Sequence, residues 1–180
     1  MKIRILVDNH TLIEHYFEGE PGFSAYVEHD GTKTLFDLGY SDLFMRNACR
    51  MGIDFFDLDY VVLSHGHLDH AGGLFHLLRH YTHAMIEKRP FRVPALIAHP
   101  HALLPCPKPP LPDIGAWLTE EEIGRHLPLV LTKDHHRLGR DLLFLGEIPR
   151  SYPLHEEGRR IVLSNGTVDP DRLLDDTALA

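Results

Sequence analysis

The 180-residue chain is poor in cysteine. Cys49 and Cys106 lie far apart, and neither is flanked by metal-ligating residues. Cys49, in a helical stretch, reads as a packed thiol rather than a ligand or disulfide partner. Basic residues are also in deficit: 18 Lys and Arg against 26 Asp and Glu give a net charge of −8 with histidines neutral. That balance argues against a partner held through its phosphate backbone, so no nucleic acid is expected. No apolar run reaches the length of a membrane span, and the start Met-Lys-Ile-Arg-Ile-Leu-Val-Asp has no signal-peptide apolar region or cleavage site. No membrane association is expected, and the cytoplasm is the expected location. Internal repeats and linkers are missing too, so residues 1–180 read as a single domain long enough for a core.

What is present begins with strands. Residues 2–7 alternate polar and apolar types, residues 23–28 and 33–37 flank the hairpin signal His29-Asp30-Gly31, and Asp8-Asn9-His10-Thr11 is turn chemistry. Ser41 is placed to cap a helix that Gly52 stops. Residues 93–99 read as a further strand. The run from Pro105 to Pro112 is too rich in proline for a helix or central strand and reads as a rigid surface loop. Thr119-Glu-Glu-Glu122 is a capped helix start. Residues 127–132, 142–146 and 160–163 read as short strands that begin a second sheet. This order suits a sheet with helices on one face.

The chemistry is concentrated in residues 60–74, Tyr-Val-Val-Leu-Ser-His-Gly-His-Leu-Asp-His-Ala-Gly-Gly-Leu. Residues 60–63 predict a buried strand, and the apolar Leu74, Phe75, Leu77 and Leu78 predict a helix that fades near residues 80–82. Between them lie His65, His67, Asp69 and His70. Imidazole nitrogen with carboxylate oxygen suits zinc, iron or manganese. Residues two apart on an extended segment point the same way, so His65 and His67 could both bind one ion, and Asp69 and His70 could face a second.

The pattern His-x-His-x-Asp-His resembles the signature of the metallo-β-lactamase superfamily. The resemblance extends to Thr34-Leu-Phe-Asp-Leu-Gly39, a strand ending in aspartate and glycine. Residues 7–11, 18–24 and 146–150 are similar to a branch of dihydropterin ribofuranosyl-aminobenzene-phosphate synthase-like proteins. The resemblance implies an α/β chain (α+β by some schemes) with a metallo-β-lactamase-like αββα sandwich, incomplete at its C-terminus. It implies a metal-dependent hydrolase in which metal-bound hydroxide attacks a small substrate, phosphorylated or pterin-related. Two divalent metal ions, zinc foremost, would be held by His65 and His67 and by Asp69 and His70. Asp69 would also handle the proton of the attacking hydroxide, and Asp37 would orient a ligand imidazole.

The family draws further ligands from later strands. Residues 174–180 look like the segment just before them, so each ion would have two protein donors. His99 with His101 and His135 with His136 are considered as substitutes, and His10, Glu147 and His155 as substrate-side residues. The alternative function is a catalytically incompetent N-terminal fragment, or a half-enzyme needing a second chain to complete the metal site. Apolar strands such as residues 142–145 would then present an open edge, and self-association or a complementing chain is expected.

Overall fold

A computed structural model describes residues 1–151 and 159–180 of the chain. Its centre is a six-stranded mixed sheet whose strands lie side by side in sequence order. β1 (Lys2–Val7), β2 (Ser24–His29) and β3 (Thr32–Phe36) are antiparallel. The β2–β3 turn places Asp30 at φ 48° and Gly31 at φ 80°, as a two-residue hairpin matched to strand twist demands. Helix α1 (Leu43–Arg50) then crosses over, and β4 (Tyr60–Val62) joins β3 in parallel. Two helices follow the motif, α2 (Leu68–Ala71) and α3 (Leu74–Ile86). β5 (Ala95–Ala98) pairs in parallel with β4. Helix α4 (Glu120–Gly124) carries the expected capping box, with Thr119 and Glu122 bonding each other's backbone N–H.

β6 (Leu129–Leu131) differs from expectation. It closes the main sheet in parallel with β5 instead of starting a second one. Three consecutive aliphatic residues carry no alternation from which to choose a sheet. Helix α3 also runs past residue 82, because Tyr81 and Ala84 continue its buried face and the Tyr81 hydroxyl donates to the Phe55 carbonyl at 2.9 Å.

Alternation along the central strands builds two layers. Val61, Leu63, Leu96 and Ala98 face the helices, packing with Phe44, Leu77 and Ile123. Val62 and Ile97 face the other way, onto Leu138, Leu142 and Phe144. This second layer comes from the ribbon of β7 (His136–Arg137) and β8 (Leu143–Phe144). The predicted open edge at residues 142–145 is not found. The N–H groups of Leu143 and Leu145 donate to the carbonyls of Ala180 and Ala178, and Phe144 is fully buried. The last residues thus satisfy the backbone that would otherwise be exposed. A further ribbon joins β9 (Arg160–Val162) to β10 (Val168–Pro170). β7 and β10 are too short for periodicity to reveal. Cys49 is exposed on α1, not packed as predicted; Phe44 and Ala48 take the buried face there. No helix among the described residues is long and apolar enough to cross a membrane.

Candidate metal centre

The parallel strands all end at one edge of the sheet. Asp37 follows β3, the motif follows β4 and His99 follows β5, which is where open α/β sheets gather functional groups. The motif loop is held tightly. A Cβ at Gly66 would collide with the Ala102 carbonyl, and one at Gly22, itself at φ 115°, would collide with the carbonyl of Asp69. These close approaches require glycine. The loop before Gly22 is anchored on α1 by Glu18, which pairs with Arg46 at 3.1 Å and Arg50 at 2.8 Å.

Asp37 is fully buried and organises the first group of ligands. Its carboxylate accepts from the Ser64 N–H at 2.7 Å and the Ser64 hydroxyl at 2.6 Å, and its Oδ2 lies 2.8 Å from His70 Nδ1. Its own backbone sits at φ 56°, a left-handed conformation that aspartate tolerates better than most residues and that recurs at functional sites. Burial raises the Asp37 carboxyl despite these bonds, and Asp37 raises His70 against the cost of burying that imidazole. Both shifts favour one proton shared between Oδ2 and Nδ1, which leaves His70 Nε2 free to bind an ion. Ser64 extends the chain of bonds. Its hydroxyl donates to Asp37 and so accepts from His65 Nδ1 at 3.0 Å, freeing His65 Nε2 likewise. Burial first, and then the neighbouring His70 and His67, hold His65 down to about 3, so its imidazole is neutral and competent as a ligand. His65, Asp69 and His70 each bring one ligand atom within 4.8 Å of the others.

His67 belongs to a second group. It shares a close arrangement of ligand atoms with Cys106 and Asp171, although its ring centroid is 4.8 Å from that of His65. His67 Nε2 is 3.0 Å from Asp171 Oδ2, and the Cys106 thiol donates to the same oxygen at 3.3 Å. Burial would raise Asp171, but the bonds from His67, the Leu173 N–H and Cys106 hold it down to about 2. Burial, with the Asp171 charge, pushes the Cys106 thiol up to about 12. The proline-rich loop is therefore more than a surface feature. It carries Cys106 inward, and Leu68 N–H donates to the Ile114 carbonyl at 2.7 Å, stitching the loop to the motif. Beyond Asp171, the Gly66 N–H donates to the buried Asp175 at 2.8 Å, and the Thr177 N–H to the Ser64 carbonyl at 2.9 Å.

Three close ligand atoms thus gather twice, at His65, Asp69 and His70 and at His67, Cys106 and Asp171, and the rings of His65 and His67, the expected pair, lie 4.8 Å apart. Sequence reasoning missed Cys106 and Asp171. Their separations from His67, 39 and 104 residues, leave no local spacing to read.

The substitutes considered have other partners. His99 is fully buried, its Nδ1 accepting from the His101 N–H at 3.0 Å and its Nε2 lying 3.3 Å from Glu147. His135 Nδ1 donates to the Leu145 carbonyl at 3.0 Å, and His136 lies in β7. His10 is 93% exposed beside Asp8. His155 lies outside the described residues. A cavity of about 300 Å³ adjoins the second group, lined by His101, Ile161, Asp169, Asp171, Arg172 and Leu174 among others.

Comparison with known proteins agrees with this architecture. The chain is 31% identical over 163 residues to the uncharacterized protein MJ0448 of Methanocaldococcus jannaschii, covering 86% of this chain and 56% of that protein. It is 26% identical to the 7,8-dihydropterin-6-methyl-4-(beta-D-ribofuranosyl)-aminobenzene-5'-phosphate synthase of the same organism, covering all of this chain and 63% of the relative. Among solved structures, Tm1679, described as a metal-dependent hydrolase of the beta-lactamase superfamily, superposes with a TM-score of 0.72 at 25% identity, covering 98% of this chain and 59% of that one. The chain therefore spans little more than half the length of these relatives. A family model matches residues 18–139, from the loop anchored on α1 through both strands that flank the motif and on to the start of the second layer, and the chain belongs to the metallo-beta-lactamase superfamily.

Proposed function

We propose that the protein is a metal-dependent hydrolase acting on a small, phosphorylated or pterin-related substrate. The observation that carries this reading is the Asp37–Ser64–His65/His70 network, which from a fully buried carboxylate holds the His65 and His70 imidazoles with one ligand atom each close to Asp69. Such a donor set fits one divalent ion of the zinc, iron or manganese class, and the nearby His67 group fits a second. Ions bound there would supply Lewis acidity and lower the pKa of water at the site. The chain's own residues do the rest. Asp37 fixes His70, and Ser64 fixes His65. The Asp69 side chain, 43% exposed, stays within reach of the substrate and takes the proton of the attacking water. The cavity beside Asp171 has room for a small molecule, and the exposed Arg172 on its wall supplies the positive charge that a phosphorylated substrate requires. A cytoplasmic location remains part of this proposal.

The test is hydrolysis of p-nitrophenyl phosphate and bis-p-nitrophenyl phosphate by protein loaded with zinc or manganese. Metal-dependent turnover that falls about 10²–10⁴-fold in Asp69→Ala is expected. Turnover indifferent to both metal and Asp69 would contradict the reading.

A second reading is a site completed by donors outside residues 1–180, on further chain or on a partner. It is favoured by the shares of 56% and 63% that this chain covers of its curated relatives. Metal binding without turnover, restored when this chain is mixed with a C-terminal segment of a relative, would favour it.

A further inference from the structure

We propose that the groove between α3 and residues 118–126 is a binding site, apart from the metal centre, for an organic anion with an elongated apolar body of the fatty-acid kind. The first observation is a helix face that breaks the usual pattern. α3 buries Leu74, Leu77, Leu78, Tyr81 and Ala84, and the outer side of such a helix is ordinarily polar. Instead, Phe75 is 54% exposed and Ile86 is 74% exposed on that side. Phe75, Leu78, Arg79, Thr82, His83 and Ile86 recur at helical spacing and form one wall of a cavity of about 440 Å³. Leu118, Glu122, Arg125 and His126 line its other wall. Small-molecule sites have volumes of this order and this mixture of apolar lining with a few polar groups.

The second observation is how the lining is sorted. A smaller hollow of about 80 Å³ shares Phe75 and Leu118 with the groove and extends its apolar end past Leu74 and Ala116 to the exposed Trp117. Away from that end both walls become cationic. Arg79 and His83 lie about one and two turns beyond Phe75 on α3, and Arg125 and His126 follow Leu118 on the facing segment. Arg79 has no hydrogen bond or ion pair with any described residue. Arg125 is paired with Glu121 at the exposed rim. Glu122, the acid in the lining, is engaged by the capping box, its carboxylate accepting from the Thr119 N–H at 2.9 Å and the Thr119 hydroxyl at 2.8 Å. The groove therefore keeps an unanswered positive charge in a chain whose net charge is −8. A carboxylate head beside Arg79, with its tail over Phe75, Leu78 and Leu118, satisfies both ends.

The facing wall is fixed before any ligand arrives. The Leu68 N–H bond to the Ile114 carbonyl and the Gly115 bridge to His67 hold the segment that leads into Ala116 and Trp117. A site built in advance loses less on binding. Other occupants suit the groove less well. A partner helix needs an unbroken apolar stripe, which Arg79, Thr82 and His83 interrupt. A second copy of the chain, packed about a two-fold axis on this face, would bring the cationic cluster against its own duplicate.

Trp117 is the only tryptophan of the chain, so its emission reports on the apolar end of the groove. The metal-loaded full chain is titrated with dodecanoate below its micellar concentration. A saturable blue shift is expected. Acetate, which shares the carboxylate and its affinity for metal ions but has no tail, should give no shift. Dodecyltrimethylammonium, with the same tail and the opposite charge, should bind about tenfold more weakly or worse. Arg79→Glu should weaken dodecanoate by about tenfold or more, and Phe75→Ser should also weaken it. Both residues are exposed, so thermal midpoint and zinc content should stay as in the wild type. Should Arg79→Glu lose its fold, Arg79→Gln carries the same test. No shift with dodecanoate, equal shifts with both amphiphiles, or a shift indifferent to Arg79 would overturn the site. A shift given by an acidic amphipathic peptide and not by dodecanoate would overturn it in favour of a protein partner.

Discussion

The two donor groups sit side by side but are built in opposite ways. His65, Asp69 and His70 come from six consecutive positions after one strand, and the Asp37 at the end of the neighbouring strand holds His70 directly and His65 through Ser64. His67, Cys106 and Asp171 come from three distant segments that meet only when the proline-rich loop and the 171–177 segment fold back on the motif. One group is local and anchored in the sheet. The other depends on long-range docking. Ligands of the first should persist in partly unfolded states in which those of the second separate, because local closure costs less chain entropy.

The sharpest way to break the comparison is at Asp37. Removing this buried partner in Asp37→Ala leaves the His70 and Ser64 polar groups without their acceptor and should cost about 3–5 kcal/mol in urea unfolding. The same variant should lose the ion of the first group and keep that of the second. Loss of both ions at once would mean the groups are not separable. At the docked side, Asp175→Ala strands the Gly66 N–H and should cost about 1–3 kcal/mol. It should weaken the second group more than the first, as read by zinc released to a chelator.

Acid provides a third probe, on metal-free protein. His65 has its ordinary value of 6.5 when unfolded and about 3 when folded, so below pH 6.5 the unfolded chain binds a proton that the folded one refuses. Its contribution to stability is present above 6.5 and is lost as the pH falls toward 3. Asp171, held at about 2 against an ordinary 3.8, adds a loss of the same sign at still lower pH. Thermal midpoints should therefore fall between pH 7 and 4, and His65→Asn should flatten that slope. An equal slope in the variant would place the acid sensitivity elsewhere.

The smallest expected effect is at a site remote from both groups. Thr119→Ala removes the α4 cap and should cost about 1 kcal/mol with no change in bound metal. A change in metal content there would show that the docked loops respond to general stability rather than to their own contacts.

The contrast between the groups also explains what the sequence revealed. The strands of the hairpin, the motif strand and the clustering of His65, Asp69 and His70 were legible because each is a pattern within a few residues, and Asp37 through its place at a strand end. The approach of Cys106 and Asp171 to His67 was not, since both come from segments far away in the sequence. Leu129–Leu131 was read into the wrong sheet because a run of aliphatic residues packs on either. Residues 178–180 seal the edge at Leu143 and Leu145 through backbone bonds, and such bonds leave no side-chain signature.

The measurement that bears most directly on the whole account is metal content per chain, by elemental analysis of protein of verified mass and oligomeric state. Two three-donor groups predict about two zinc ions per chain, falling to about one in either His65→Ala or His67→Ala. Wild-type protein that retains no zinc after purification in its presence would contradict the account.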